Sequence, residues 1–124
     1  MSLSRHYIDY VRDMLDMAQT LEQFVADMDY DEFIADRKTQ LAVTRGLEVI
    51  GEAARYVPPE QRARYPNVDW RGMTGMRDWL VHAYFATRLD IVWETVQQHI
   101  PHLITYLTQM LADAEAGAGL EPDE

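Results

Sequence analysis

Apolar residues recur along this chain with the period of an α-helix, and nowhere with the alternation of a strand. From about Ser4 to Met28 they fall at Tyr7, Val11, Met14, Ala18, Leu21, Val25 and Met28. Steps of four and three place them on one stripe, as on a helix buried along one face. Ser2 or Ser4 can cap the start of this helix by accepting a hydrogen bond from a free backbone N–H. Asp27-Met-Asp-Tyr-Asp31 then breaks the pattern and offers a cap for a second helix. That helix is expected from about Asp31 to Tyr56, through Phe33, Ile34, Leu41, Thr44, Leu47, Ile50, Ala54 and Val57. Gly46 and Gly51 inside it cost up to ~1 kcal/mol each against alanine, so close packing against a neighbouring helix is expected there.

Pro58-Pro59 ends the second helix, because proline has no N–H and clashes with the preceding turn. One or two turns can follow before Pro66-Asn67 forces a loop. A third, shorter helix is predicted over Trp70 to His82. The last begins near Leu89, with Thr87 or Arg88 at its mouth, and carries Leu89, Trp93, Val96, Ile100, Leu103, Leu107, Met110 and Ala114 on one stripe. Pro101 interrupts that stripe and should kink or split the helix. The expected fold is all-α: an antiparallel, up-and-down bundle of four to five helices. It should occupy residues 1–116 as one domain, with 117–124 as a flexible acidic tail.

Composition narrows the chemistry. The chain has 124 residues, enough for one core but not for two. It holds no cysteine, which removes a thiol nucleophile, a cysteine-based zinc site and any disulfide. No apolar run approaches the ~18 residues needed to span a bilayer, and the N-terminus does not resemble a signal peptide, so the cytoplasm is the expected compartment. The net charge of −10 argues against a broad nucleic-acid-binding surface. It is unevenly spread, however. Arg55, Arg62, Arg64, Arg71, Arg77 and Arg88 face only Glu60, Asp69 and Asp78 in that stretch, while the rest of the chain has five basic and eighteen acidic residues. A local anion site within an acidic molecule fits this distribution, as does an ordinary solvated helix face.

Within the basic stretch lies Gly75-Met-Arg77-Asp-Trp-Leu-Val-His82-Ala-Tyr84-Phe. An arginine can fork two hydrogen bonds onto a phosphate and stabilise charge developing in phosphoryl transfer. A histidine can move the proton of a ribose 2′-hydroxyl. A tyrosine offers a donor, a stacking surface or a hydroxyl open to modification. Arg77 and Tyr84, seven apart, share a helix face, as do Asp78 and His82, four apart. Asp78 can therefore orient His82 or cap something local. His82 and Tyr84 point nearly opposite ways on an unbroken helix, so convergence of Arg77, His82 and Tyr84 requires the helix to end or distort near His82. RNA cleavage of this kind needs an acid and a base, and one copy supplies one histidine. A symmetric dimer supplies two.

Arg77-x4-His82-x-Tyr84 resembles the Arg-x4-6-His motif of HEPN domains, in the extended form found in HepT-like toxins. The flanks are similar too: Gly46-Leu-Glu-Val-Ile-Gly-Glu-Ala-Ala54 before the motif, and Leu89-Asp-Ile-Val-Trp-Glu-Thr-Val96 with Pro101 after it. The likeness runs from about Tyr7 to Leu111. It implies a metal-independent endoribonuclease toxin without cofactor, with Arg77 and His82 as the catalytic pair in a homodimer cleft and RNA as substrate. It also implies that Tyr84 lines the cleft and that a partner nucleotidyltransferase antitoxin of the MNT type transfers AMP to it. The residue after the motif arginine is often Asn in such proteins and is Asp78 here. An acid there works against a nearby RNA phosphate and bears on the rate. HEPN folds also serve as non-catalytic scaffolds, so a binding module that partners the nucleotidyltransferase is the alternative.

Other residues suggest less. His99-Ile-Pro-His102 has a spacing open to metal but no evident third ligand, so solvent-facing or capping histidines are expected. Glu48, Glu52, Arg45 and Arg55 form a charged series that supports the motif or merely pairs within its own helix. Trp70, Trp79 and Trp93 belong to the core or an interface.

Overall fold

The computed structural model describes residues 6–82 and 88–117, and every regular element among them is helical. The elements are α1 (Tyr7–Val25), α2 (Tyr30–Ile34), α3 (Arg37–Ala54), α4 (Pro59–Ala63), α5 (Trp70–His82), α6 (Leu89–Glu94), a π-helical turn (Thr95–His99) and α7 (Ile100–Ala116). Ser2, Ser4, Tyr84, Thr87 and the tail beyond Gly117 lie outside the described residues.

The first stripe is buried as its spacing predicts. Val11, Met14, Ala18 and Leu21 are fully enclosed, and Val25 nearly so, while Tyr7 and Met28 pack at the margin. The helix opens at Tyr7 rather than at a serine. His6 is its cap, and its Nδ1 accepts from the Ile8 N–H at 3.2 Å.

The expected second helix is two. Asp29 opens α2 with a reciprocal capping box, accepting from the Glu32 N–H at 2.8 Å while the Glu32 carboxylate accepts from the Asp29 N–H at 2.9 Å. A new start follows at Asp36, whose carboxylate accepts from the Thr39 N–H at 3.0 Å and the Thr39 hydroxyl at 2.9 Å. Because the chain restarts there, Ile34 and Leu41 are exposed, whereas Phe33 and Val43 enter the core. The buried Gln40 ties the pieces together by donating to the Phe33 carbonyl at 3.0 Å.

α3 is central, packing on α1 along one side and on α5 along the other, and α7 closes against α1. α1 and α3 are antiparallel: Tyr10 stacks on Tyr56, and Leu21 and Met17 lie against Gly46. In the final helix the interruption falls at Thr95–His99, just before Pro101, which occupies the first turn of α7. The Ile100 N–H reaches back five residues to the Thr95 carbonyl. This wider turn is a physical accommodation of the proline, which has no N–H to give and whose ring would crowd the preceding turn. Val96, Ile100, Leu103, Leu107 and Met110 stay buried through it. Trp70 is core, and Trp79 and Trp93 pack on its edge, Trp93 against Phe33.

Tyr65, between α4 and α5, donates to Asp113 of α7 at 2.8 Å. Partial burial, then this hydrogen bond, push the Tyr65 phenol up to about 12 from 10.0, and the same bond holds the Asp113 carboxyl below its usual range. A phenol raised in the folded state stabilises fully below pH 10.0 and loses that contribution as pH rises toward 12. The depressed Asp113 stabilises above its ordinary value of 3.8 and loses that as pH falls. Tyr65→Phe should therefore melt below wild type at neutral pH, with the gap closing at both extremes. A gap independent of pH, measured by thermal melts across the range, would remove this hydrogen bond from the account.

Candidate functional site

α5 begins with Asp69, whose carboxylate accepts from the Gly72 N–H at 3.0 Å, and with the Trp70 indole donating to the Tyr65 carbonyl at 3.1 Å. It is seated on α3 at Gly51. A Cβ there would lie 2.5 Å from the Arg77 Cβ and 2.6 Å from the Met73 carbonyl oxygen. The missing side chain lets the two backbones approach at the level of the motif arginine.

That approach joins charged groups across the helices. The Arg77 guanidinium donates to Glu52 of α3 at 3.2 Å and to Asp78 at 3.1 Å, and Arg55, the residue that caps the end of α3, donates to the same Asp78 oxygen at 3.3 Å. Hydrogen bonding to Asp78, with the nearby charge of Glu52, pushes Arg77 further toward its protonated form, outweighing its partial desolvation. The arginine side chain is 23% exposed, so it is held yet reachable. Two carboxylates and two guanidinium groups make this cluster neutral.

His82 is exposed, and its Nδ1 lies 2.9 Å from the Asp78 backbone carbonyl. Asp78 thus orients His82 through its main chain, not its carboxylate, which the two arginines occupy. A carbonyl only accepts, so Nδ1 carries the proton of this bond and Nε2 is left for chemistry. Arg77 and His82 do not converge within one chain. Five residues apart on a regular helix, they diverge by about 140° around its axis.

Of the charged series on α3, Glu52 and Arg55 reach the motif, while Arg45 and Glu48 pair within the helix at 3.1 Å. Spacing alone gave all four the same standing; the signal that separates them is Gly51, beside Glu52 and one turn before Arg55. A mostly apolar cleft of about 400 Å³ opens between α3, α5 and the start of α7, lined by Leu47, Ile50, Met73, Met76 and Leu103, with His99 and His102 also contributing. None of Arg77, Asp78 and His82 lines it. Both of those histidines are exposed, and among the described residues no three His, Asp or Glu side chains gather to hold a metal ion. Among the described residues no helix is long and apolar enough to cross a membrane.

The family model for ribonuclease HepT-like proteins matches residues 14–110. A Thermococcus cleftensis protein named "Probable ribonuclease HepT" is 39% identical over 101 residues, covering 82% of this chain and 92% of its own. Two Methanocaldococcus jannaschii proteins, both named as candidate RNases, are 40% identical over 106 residues and 38% identical over 94. These cover 86% and 76% of this chain, and 88% and 86% of their own lengths. No solved structure gives a significant match. This chain belongs to the HepT-like family of HEPN-domain proteins.

Proposed function

We propose that this protein is a metal-independent endoribonuclease that acts as the toxin of a toxin–antitoxin pair. The observation that carries the proposal is the exposed His82, held through Nδ1 by the Asp78 carbonyl so that Nε2 is free, on the same helix as a braced Arg77. Relatives named as ribonucleases support the same reaction class. Arg77 and His82 diverge on one helix, so the working site is a cleft between two copies, each giving one arginine and one histidine.

In that cleft Nε2 of one His82 takes the proton of a ribose 2′-hydroxyl as the 2′-oxygen attacks the adjacent phosphorus. The bond from phosphorus to the 5′-oxygen breaks, and the second copy's protonated His82 gives that oxygen its proton. The products are a 2′,3′-cyclic phosphate and a free 5′-hydroxyl. Arg77 supplies the positive charge on the phosphoryl oxygens as negative charge accumulates.

Control follows from the resemblance at Tyr84. A nucleotidyltransferase antitoxin that transfers AMP to its hydroxyl adds bulk and negative charge next to the motif, which keeps RNA phosphate away. Co-expression with an MNT-type nucleotidyltransferase should give a protein heavier by whole AMP groups and unable to cleave RNA. Tyr84→Phe should keep its unmodified mass and its activity under the same conditions. A Tyr84→Phe protein that still gains AMP would remove Tyr84 as acceptor.

One observation favours the alternative, a non-catalytic module that partners the nucleotidyltransferase. Arg77 already contacts two carboxylates, which an RNA phosphate must displace. Asp78→Asn discriminates between the two. It frees Arg77 from one carboxylate and should raise RNA turnover by a ribonuclease, whereas a scaffold shows no turnover in either form.

A further inference from the structure

Arg62 of α4 and Arg71 of α5 border a shallow cleft with Pro59, Ala63, Trp70 and Thr74. Neither arginine forms an ion pair among the described residues, unlike Arg55, Arg77 and Arg88. The Arg62 Nε–H is buried and meets no acceptor among the described residues. A buried guanidinium N–H without a partner is costly, and its usual explanation is a water or an anion that completes it. The Asp69 carboxylate is taken up in capping the start of α5, and Glu60 forms no ion pair among the described residues.

Arg71 also stands in register with the proposed chemistry. Arg71, Asp78 and His82 are spaced by seven and four residues, so they lie within about 40° of one another on α5. From Arg71 to His82 is about 16 Å along the helix axis. Gly75 lies between them, exposed, with open space where a side chain would be. A gap in the side chains thus lies between the arginine pair and the histidine. Asp78, the carboxylate in this stretch, is bonded by Arg55 and Arg77.

We propose that Arg62 and Arg71 form a second phosphate subsite, which grips the RNA strand a few nucleotides from the bond that is cut. The subsite rests on the ribonuclease function proposed above. It contacts backbone, not bases, and adds affinity without sequence preference. It also gives an acidic protein a defined place to hold a polyanion that its overall charge repels.

The test compares wild type with Arg71→Gln and Arg62→Gln on two substrates: a dinucleoside monophosphate, whose single phosphate is the one cleaved, and a longer single-stranded RNA. Arg71 is exposed, so its variant removes charge without disturbing packing. Arg71→Gln should raise KM for the long RNA about three- to tenfold with kcat unchanged, and leave the dinucleoside unaffected. Equal effects on both substrates, or none on either, would overturn the subsite. If wild type cleaves neither, the ribonuclease function falls and binding alone decides. In a His82→Ala background, a labelled single-stranded RNA should bind Arg71→Gln more weakly, with the log–log salt slope shallower by roughly 0.7. Unchanged affinity and slope would overturn the subsite on that measure as well.

Discussion

Gly51→Ala should destabilise the protein by about 1–3 kcal/mol and cripple whatever Arg77 does. Alanine is ordinarily better than glycine inside a helix by up to ~1 kcal/mol, so the sign of this prediction is not the default one. It reverses because the new methyl meets the Arg77 Cβ and the Met73 carbonyl oxygen, at 2.5 and 2.6 Å. A backbone carbonyl cannot swing aside as a side-chain end can, so α5 itself must move. The ion pairs from α3 to Arg77 and Asp78 then lose their register. Gly46→Ala is the control. Its methyl would press on the side-chain ends of Leu21 and Met17, which can rotate, and it lies away from the motif. It should cost less and leave activity intact. Thermal melts of both variants check this, and a Gly51→Ala protein as stable and active as wild type would contradict it.

Arg77→Ala should lower RNA cleavage by about a thousandfold or more while leaving the protein folded. Its two ion pairs involve carboxylates that are 48% and 57% exposed, and such pairs add little to stability. The loss is therefore chemical: the other guanidinium that bridges α3 and α5, Arg55, already pairs with Asp78 and does not stand in for Arg77. Arg77→Lys keeps the charge but not the planar fork, and should recover only a small part of the rate. Single-turnover kinetics with circular dichroism separate this from unfolding. Full activity in Arg77→Ala would remove it from the catalytic pair.

The sequence carried the fold unevenly, for reasons visible in particular residues. The 4,3 stripes of α1 and α7 set the core almost residue by residue, since helical period and burial coincide there. The span Trp70–His82 was legible as well, framed by Pro66-Asn67 before it and the motif at its end. The break between α2 and α3 was hidden because Ile34 and Leu41 keep an apolar pattern going while standing exposed. Asp36 and Thr39 held the competing signal, a cap spacing inside an otherwise continuous run. Pro101 pointed to the right turn of the last helix, though the adjustment is a π-helical turn over Thr95–His99.

At the site, residue types and spacing drew attention to Arg77, Asp78 and His82, and the family resemblance supplied the roles proposed for them. Which atom of Asp78 would hold His82 was not legible, since a carboxylate and a backbone carbonyl four residues back are both within reach. Nor could spacing tell that Glu52 and Arg55 cross to α5 while Arg45 and Glu48 do not. That distinction depends on how closely two helices approach, which Gly51 decides only once the packing is known.

In the proposed reaction His82 moves a proton as RNA is cut. The most direct measurement is cleavage of RNA by the purified, unmodified protein with EDTA present, comparing wild type with His82→Ala. Wild type should cleave RNA, ending in a 2′,3′-cyclic phosphate, and the variant should not at equal concentration and equal helical content. Cleavage by both proteins alike, or by neither when intact mass shows no AMP, would contradict it.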